Sequence, residues 1–288
     1  MIYSFKLEFP GAGHFASFPF IVDGRLAGGV SCRVSSRSAG DMVYSDETLT
    51  AEGKIAPGEC NPARLSLFRL MNLDPALVFG LRQIHSREVL VVDRRGRPGV
   101  PADGMLSADR GIVLSVTAAD CLPVFLYDTE SGAFGLLHSG WRGTGIVLRA
   151  LRLMAEQWRT RPEALAVVLG PCIGPCCYRV DEERAAAFEK EFGAGAVRRE
   201  KAEGGKVEAG KAENGTRCCL DLKAANIALL EGAGVRNLAV CEDCTFTDER
   251  LGSFRREGRR YTHMAALAGY FDPPRFGESP GDTAIDSF

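Results

Sequence analysis

The residues best suited to chemistry in this sequence are two histidines and a cysteine. His85 closes Leu81-Arg82-Gln83-Ile84-His85, Cys121 opens the strand-like Cys121-Leu122-Pro123-Val124-Phe125, and His138 closes Phe134-Gly135-Leu136-Leu137-His138. Each falls at an expected strand end, a rigid place from which side chains can converge. Two imidazoles and one thiolate make a borderline-soft donor set for Zn²⁺, and three protein donors leave a fourth tetrahedral position for water, whose pKa falls to about 7 on such an ion. No metal-binding motif has these separations along the chain, so convergence has to come from the fold. The same residues suit a packed interior as well, with the imidazoles capping strands and Cys121 serving as a small buried hydrophobe.

The neighbouring residues add to the chemistry. His138-Ser139-Gly140-Trp141-Arg142-Gly143-Thr144-Gly145 runs from an expected strand into an expected helix, where freed backbone N–H groups receive an anion and Arg142 supplies a forked donor. The glycines there also serve tight backbone geometry alone. Asp120 points away from Cys121 if one strand runs through both; it is a candidate catalytic carboxylate, or a group that orients a ligand or turns the chain. Ser253-Phe254-Arg255-Arg256-Glu257-Gly258-Arg259-Arg260 is either a solvated basic patch or a turn that folds Arg255 and Arg256 over the pocket to hold a substrate anion. Cys172, Cys176, Cys177, Cys218, Cys219, Cys241 and Cys244 contain one CxxC unit, Cys241 to Cys244. A structural zinc by motif needs two, and Pro171-Cys172-Ile173-Gly174-Pro175-Cys176 has neither the spacing nor the upstream His-x-Glu of a cytidine deaminase.

These residues need a scaffold. Apolar, β-rich runs predict strands at 77–84, 88–93, 112–117, 122–128, 133–138, 165–170 and 237–241. Residues 143–158 carry apolar side chains at helical spacing after a glycine-rich turn; 181–192 and 221–230 read as two further helices, both opening on Asp. Residues 193–217 hold no aromatic side chain and mixed charge, and so read as a mobile excursion or a solvated hairpin. Pro, Gly, Ser and Asp dominate the end of the chain, so 1–270 reads as a single domain and 271–288 as a tail.

The chain's 288 residues allow a large core, and 35 basic against 37 acidic residues leave a net charge of −2. No global field then draws nucleic acid or an anionic membrane. Neither a signal-peptide pattern nor an apolar run long enough to span a bilayer is visible, so a cytoplasmic, monomeric protein with reduced cysteines is expected.

At its motifs the sequence resembles the YfiH-like family, also called the laccase-domain or multicopper polyphenol oxidase family. The matching blocks are Gln83 to Asp93, Ala102-Asp103-Gly104, Ala119 to Asp128, His138 to Thr144, Gly170 to Tyr178, Leu220 to Asn226, Cys244-Thr245-Phe246 and Ser253 to Gly258. It departs at 30–73, at Arg179 where Glu is common, and at Tyr261-Thr262-His263 where Thr-Gly-Arg is expected. The resemblance implies a single-domain α/β fold of mixed sheets layered between helices, with zinc on His85, Cys121 and His138. It also implies phosphorolysis of adenosine, inosine and S-methyl-5'-thioadenosine, with adenosine deamination as a side activity; the partners are then a purine nucleoside and phosphate. A multicopper centre needs many more imidazoles than the four histidines present; a single His₂Cys copper stays open. Two other classes stand beside this: an amidase or cysteine hydrolase acting on a peptidoglycan precursor, with Cys121 as nucleophile and His138 as its base, and a non-catalytic metal-binding protein.

Overall fold

The structure, a computed structural model, describes residues 2–11, 13–43, 61–96, 101–201 and 216–271. In chain order the strands are β1 (Ile2–Phe5), β2 (Phe15–Val22), β3 (Arg25–Ser35), β4 (Val78–Phe79), β5 (Val89–Val91), β6 (Gly104–Ser107), β7 (Val113–Ala118), β8 (Leu122–Asp128), β9 (Phe134–Ser139), β10 (Leu165–Leu169), β11 (Arg179–Val180), β12 (Val197–Lys201), β13 (Thr216–Leu220), β14 (Asn237–Cys241) and β15 (Met264–Gly269). The helices are α1 (Pro62–Leu70), α2 (Ile146–Trp158), α3 (Glu182–Phe192), α4 (Leu222–Gly232) and the short α5 (Phe254–Glu257).

A seven-stranded mixed sheet runs β1-β14-β10-β8-β9-β6-β5, a five-stranded sheet β2-β3-β15-β7-β4, and a small third sheet β11-β13-β12. Leu122, Val124 and Leu126 of β8 pack with Ile146, Val147, Ala150 and Met154 of α2. The alternate residues Phe125 and Tyr127 pack with Phe18, Phe20, Val34 and Val116 from the five-stranded sheet. The outer face of that second sheet, through Val113, Ala265 and Leu267, meets Leu67 and Phe68 of α1. The order of layers is therefore helices, sheet, sheet, helix. Strands covered on both faces read as unbroken apolar runs, which is why β8, β9 and β10 were legible without alternation.

Helix boundaries follow from local chemistry. Gly145 takes φ 99° before α2, and Arg159 closes it at φ 58°; the expected start at 143 is a turn instead. The Asp181 carboxylate accepts from the Arg184 N–H at 2.8 Å and the Asp221 carboxylate from the Ala224 N–H at 2.9 Å, which caps α3 and α4. The expected strand at 77–84 shortens to Val78–Phe79, because the Asp103 side chain takes the N–H groups of Ile84 and His85 away from any ladder. Strands β1, β2, β3, β6, β11, β12, β13 and β15 and helices α1 and α5 add to the expected elements. Of the stretch 193–217, Val197–Lys201 pairs antiparallel with Thr216–Leu220; residues 202–215, like the tail from 272, lie outside the described residues. Among the described residues no helix is long and apolar enough to cross a membrane.

Asp128 shows how the β8–β9 turn is held. Its buried carboxylate accepts from the Thr160 hydroxyl at 2.6 Å, the Ser131 hydroxyl at 2.7 Å and the Glu130 N–H at 2.9 Å. Burial would raise this carboxyl, but those donors outweigh it and hold the group below its usual range. A depressed carboxyl stabilises the fold above the ordinary carboxylate pKa, and the contribution is lost as pH falls through the folded value. Asp128→Asn is expected to cost about 2 kcal/mol at pH 7. The gap from the parent protein should close in urea titrations below about pH 4, and a gap that stays constant with pH would show that the charge is not what matters.

Candidate metal centre

His85, Cys121 and His138 come together: their ligating atoms all lie within 4.8 Å of one another, and the two imidazole centroids are 4.9 Å apart at 74°. Only His138 sits in a strand, β9, where it is 3% exposed. Cys121 precedes β8 in the bend where the chain leaves β7 of one sheet for β8 of the other. His85 lies on the corresponding crossing from β4 to β5 and is not at a strand end; its φ is 58°. The cluster thus stands where two segments pass from sheet to sheet beside the end of β9.

One buried carboxylate organises this crossing. Asp103, 0% exposed just before β6, accepts from the N–H groups of Ile84, His85 and Ser86 at 3.2, 3.0 and 2.6 Å and from the Ser86 hydroxyl at 2.7 Å. It also lies 2.9 Å from His138 Nδ1, which leaves Nε2 of that ring for the cluster. Gln83 reinforces the same segment, donating to the Thr117 carbonyl at 2.8 Å and accepting from the Thr117 N–H at 2.7 Å. Nothing in the residues around Asp103 marks it as the group that orders this crossing. Its only local signal is an Asp between Ala102 and Gly104.

The electrostatics follow from this packing. Burial alone would raise the Cys121 thiol, yet the His138 charge and hydrogen bonds from His138 and His85 outweigh it and bring the thiol down to about 6. Burial would lower His138, but the Cys121 thiolate and Asp103 carboxylate raise it to about 10. Asp103 stays below the usual carboxylate range because the His138 and Ser86 donors outweigh its burial. Gly140 leaves room for the cluster: a Cβ there would stand 2.8 Å from Cys121 Sγ and 3.3 Å from His85 Cδ2.

The three residues open onto a cavity of about 570 Å³, whose lining includes Trp141, Tyr178, Phe254, Tyr261, Arg184 and Arg255. That volume lies in the range of small-molecule sites. Asp120 also lines it, but it stands in the bend and not in the strand, with φ 87°. One of its carboxylate oxygens accepts from the Thr245 hydroxyl at 2.6 Å and the other from the Arg255 N–H at 2.7 Å. Asp120 therefore ties α5 to the cluster.

Two of the expected anion-binding arginines are elsewhere. Arg142 is exposed, rests 5.0 Å from the Trp141 ring and does not line the cavity. Arg256 turns inward beneath α5, where its guanidinium donates to the carbonyls of Thr245, Phe246, Asp248 and Leu251 and pairs with Glu257. Five scaffold acceptors leave it no role toward a ligand. Arg255 does reach the cavity, 5.2 Å from the Tyr178 ring, with one N–H on the Arg179 carbonyl at 2.8 Å. Arg184, which the sequence reading missed, joins it from α3, 4.7 Å from the Trp141 ring; a basic residue in a helix pattern gives no hint that it faces a pocket.

Known proteins resemble this chain in sequence and in fold. A protein of Streptomyces coelicolor named purine nucleoside phosphorylase is 34% identical over 244 residues, 82% of this chain and 92% of its own length. A protein of an unknown prokaryote named adenosine deaminase RL5 is 31% identical over 223 residues, 69% of this chain and 79% of its own. The crystal structure of YlmD from Geobacillus stearothermophilus shares the fold with a TM-score of 0.67 at 24% identity, covering 87% of this chain and 98% of that one. The family described as multi-copper polyphenol oxidoreductase laccase matches residues 35–270, a span that holds the whole cluster and cavity lining, and this chain belongs to it.

Proposed function

We propose that this protein is a zinc-dependent purine nucleoside phosphorylase that converts adenosine, inosine and S-methyl-5'-thioadenosine to free base and pentose 1-phosphate, with adenosine deamination as a side activity. In this reading residues 1–270 act as one catalytic domain on small molecules in the cytoplasm. The observation that carries it is the joining of the His85, Cys121 and His138 cluster to a cavity lined by aromatic side chains and by three arginines, Arg82, Arg184 and Arg255. Trp141, Tyr178, Phe254 and Tyr261 suit a flat heteroaromatic ring. Arg184 and Arg255 suit phosphate. The names of the Streptomyces and RL5 relatives support the same two reactions.

The donor set fits zinc: two imidazoles and a thiolate converge, one ring is oriented by a carboxylate, and Gly140 keeps the space beside the sulfur clear. A bound zinc ion would supply an electrophile beside the substrate. In phosphorolysis a phosphate oxygen bonds to the anomeric carbon as the bond to the purine nitrogen breaks, and the purine leaves with that electron pair and gains a proton. Arg184 and Arg255 would hold the phosphate for this displacement, and the aromatic side chains would hold the purine. Asp120 is a positioning residue in this reading, because both of its oxygens are engaged with Thr245 and α5.

The direct test is metal analysis combined with adenine release from adenosine, with and without phosphate; release that ignores phosphate sinks the reading. Arg184→Ala is expected to raise the KM for phosphate about 10- to 100-fold, the loss of one charge-assisted contact. Arg142→Ala should leave it unchanged, so equal effects from the two would contradict the cavity assignment.

A second reading has its own observation. Cys121, His138 and Asp103 form a thiolate, imidazole and carboxylate series, with His138 Nδ1 2.9 Å from Asp103, the order found in cysteine hydrolases. His85 separates the two. His85→Ala should abolish metal binding and phosphorolysis if the ion is essential, whereas amide hydrolysis by a metal-free thiolate would survive it. Copper remains a matter of single-ion occupancy, because His14 and His263 stand outside the cluster.

A further inference from the structure

Outside that cavity, the described residues bring together a second group of metal-ligating side chains. The sulfurs of Cys176, Cys177 and Cys244 lie within 4.8 Å of one another, with Cys176 Sγ 3.3 Å from Cys177 Sγ and 3.7 Å from Cys244 Sγ. Metal–sulfur bonds of about 2.3 Å place sulfurs about 3.8 Å apart on a tetrahedral ion and about 4.0 Å apart on a trigonal one. The separations of 3.3 and 3.7 Å fall a few tenths of an ångström short of those values, a gap that small rotamer adjustments close. A disulfide between Cys176 and Cys177 fits less well, because adjacent α-carbons across a trans peptide stand about 3.8 Å apart, below the usual disulfide range.

The surroundings are built around the sulfurs. The Gly174 N–H donates to Cys244 Sγ at 3.2 Å, a contact that favours a ligating thiolate. An added Cβ at Gly174 would stand 3.3 Å from Cys176 Sγ and 3.6 Å from Cys244 Sγ, so the glycine keeps the space next to both sulfurs. Cys244 is 9% exposed while Cys176 is open to solvent, in a groove that Arg179 and Arg255 also line. The groove provides an entry path for an ion.

We propose that Cys176, Cys177 and Cys244 form a second metal site that binds a thiophilic closed-shell cation, Zn²⁺ or Cu⁺, through three sulfurs. Soft thiolates select these ions over hard ones. Cys241, the other half of the CxxC unit, takes no part: its thiol faces the Asp243 carboxylate at 3.3 Å. The ion's role is to clamp a wall of the central cavity. Tyr178 follows Cys177 and lines that cavity; Thr245 follows Cys244 and holds Asp120 beside Cys121.

The test uses the full chain, reduced and stripped of metal, titrated with Zn²⁺ alone or Cu⁺ alone against a chromophoric chelator. The parent protein should take two equivalents of whichever ion the site prefers. Cys121→Ala should take one, and X-ray absorption of that variant should show three sulfurs near 2.3 Å. Cys177→Ser, an isosteric change at a half-buried position, should also take one, with the unfolding midpoint of the metal-free form unchanged. The proposal is overturned if Cys121→Ala binds no ion, if its shell holds fewer than three sulfurs, or if Cys177→Ser keeps both equivalents. A Cys176 to Cys244 disulfide in the protein as isolated, before reduction, would overturn it too. The two sites fail independently, since an empty first site leaves the sulfur-only equivalent in place.

Discussion

Cys121→Ala should lose the ion of the His85, Cys121 and His138 cluster together with phosphate-dependent adenine release, the latter by about 10³-fold or more. Metal polarisation of a substrate contributes several kcal/mol, and each 1.36 kcal/mol is about tenfold in rate. The sulfur is the one anionic donor in the cluster, and it accepts hydrogen bonds from both imidazoles, so its removal takes away both the charge that retains a divalent ion and the link between the rings. Gly140→Ala should reach the same end sterically, because its new Cβ would press on Cys121 Sγ from 2.8 Å. Metal content by mass spectrometry and steady-state assays of the same preparations decide the matter. Full turnover in Cys121→Ala would end the metal reading.

Asp103→Asn should be the most damaging change at a residue that touches neither substrate nor metal. The carboxylate accepts from three backbone N–H groups, a hydroxyl and an imidazole in a fully buried position. An amide of the same shape turns one acceptor into a donor and sets it against those hydrogens. Leaving buried donors unmatched costs about 1 to 3 kcal/mol each, so a loss of about 3 kcal/mol is expected, or roughly 6 to 12 °C in unfolding midpoint for a chain of this size. Metal affinity should fall about 10- to 100-fold, the usual effect of removing a group that orients a ligating histidine. Differential scanning calorimetry separates the two effects when run with and without zinc. An unchanged midpoint would mean that the His85 segment is held by Gln83 alone.

Local patterns announced five of the seven strands of the central sheet, all but β1 and β6. The strands over 122–128, 134–139 and 165–169 are continuous apolar runs, and α2, α3 and α4 carry either an apolar stripe or an Asp cap, so each was visible in the order of residues. The strand expected at 77–84 failed for a physical reason found elsewhere in the chain: a carboxylate at Asp103 competes for the N–H groups that a ladder would use. The N-terminal hairpin of β2 and β3 escaped notice because its glycines and serines weaken the β signal, although Phe18, Phe20, Val34 and Cys32 do bury themselves in the core.

By itself the sequence determined which chemistry was available: four histidines, ten cysteines, and three candidate donors in apolar or glycine-rich settings. Only the tertiary structure decided which groups meet. It placed His85, Cys121 and His138 on one cluster, put Arg184 at the cavity in place of Arg142 and Arg256, and joined Cys244 to Cys176 and Cys177 instead of to its CxxC partner. Secondary structure follows from periodicities a few residues long, whereas these meetings depend on strand pairing and sheet crossing over tens of residues. No local pattern encodes such distances.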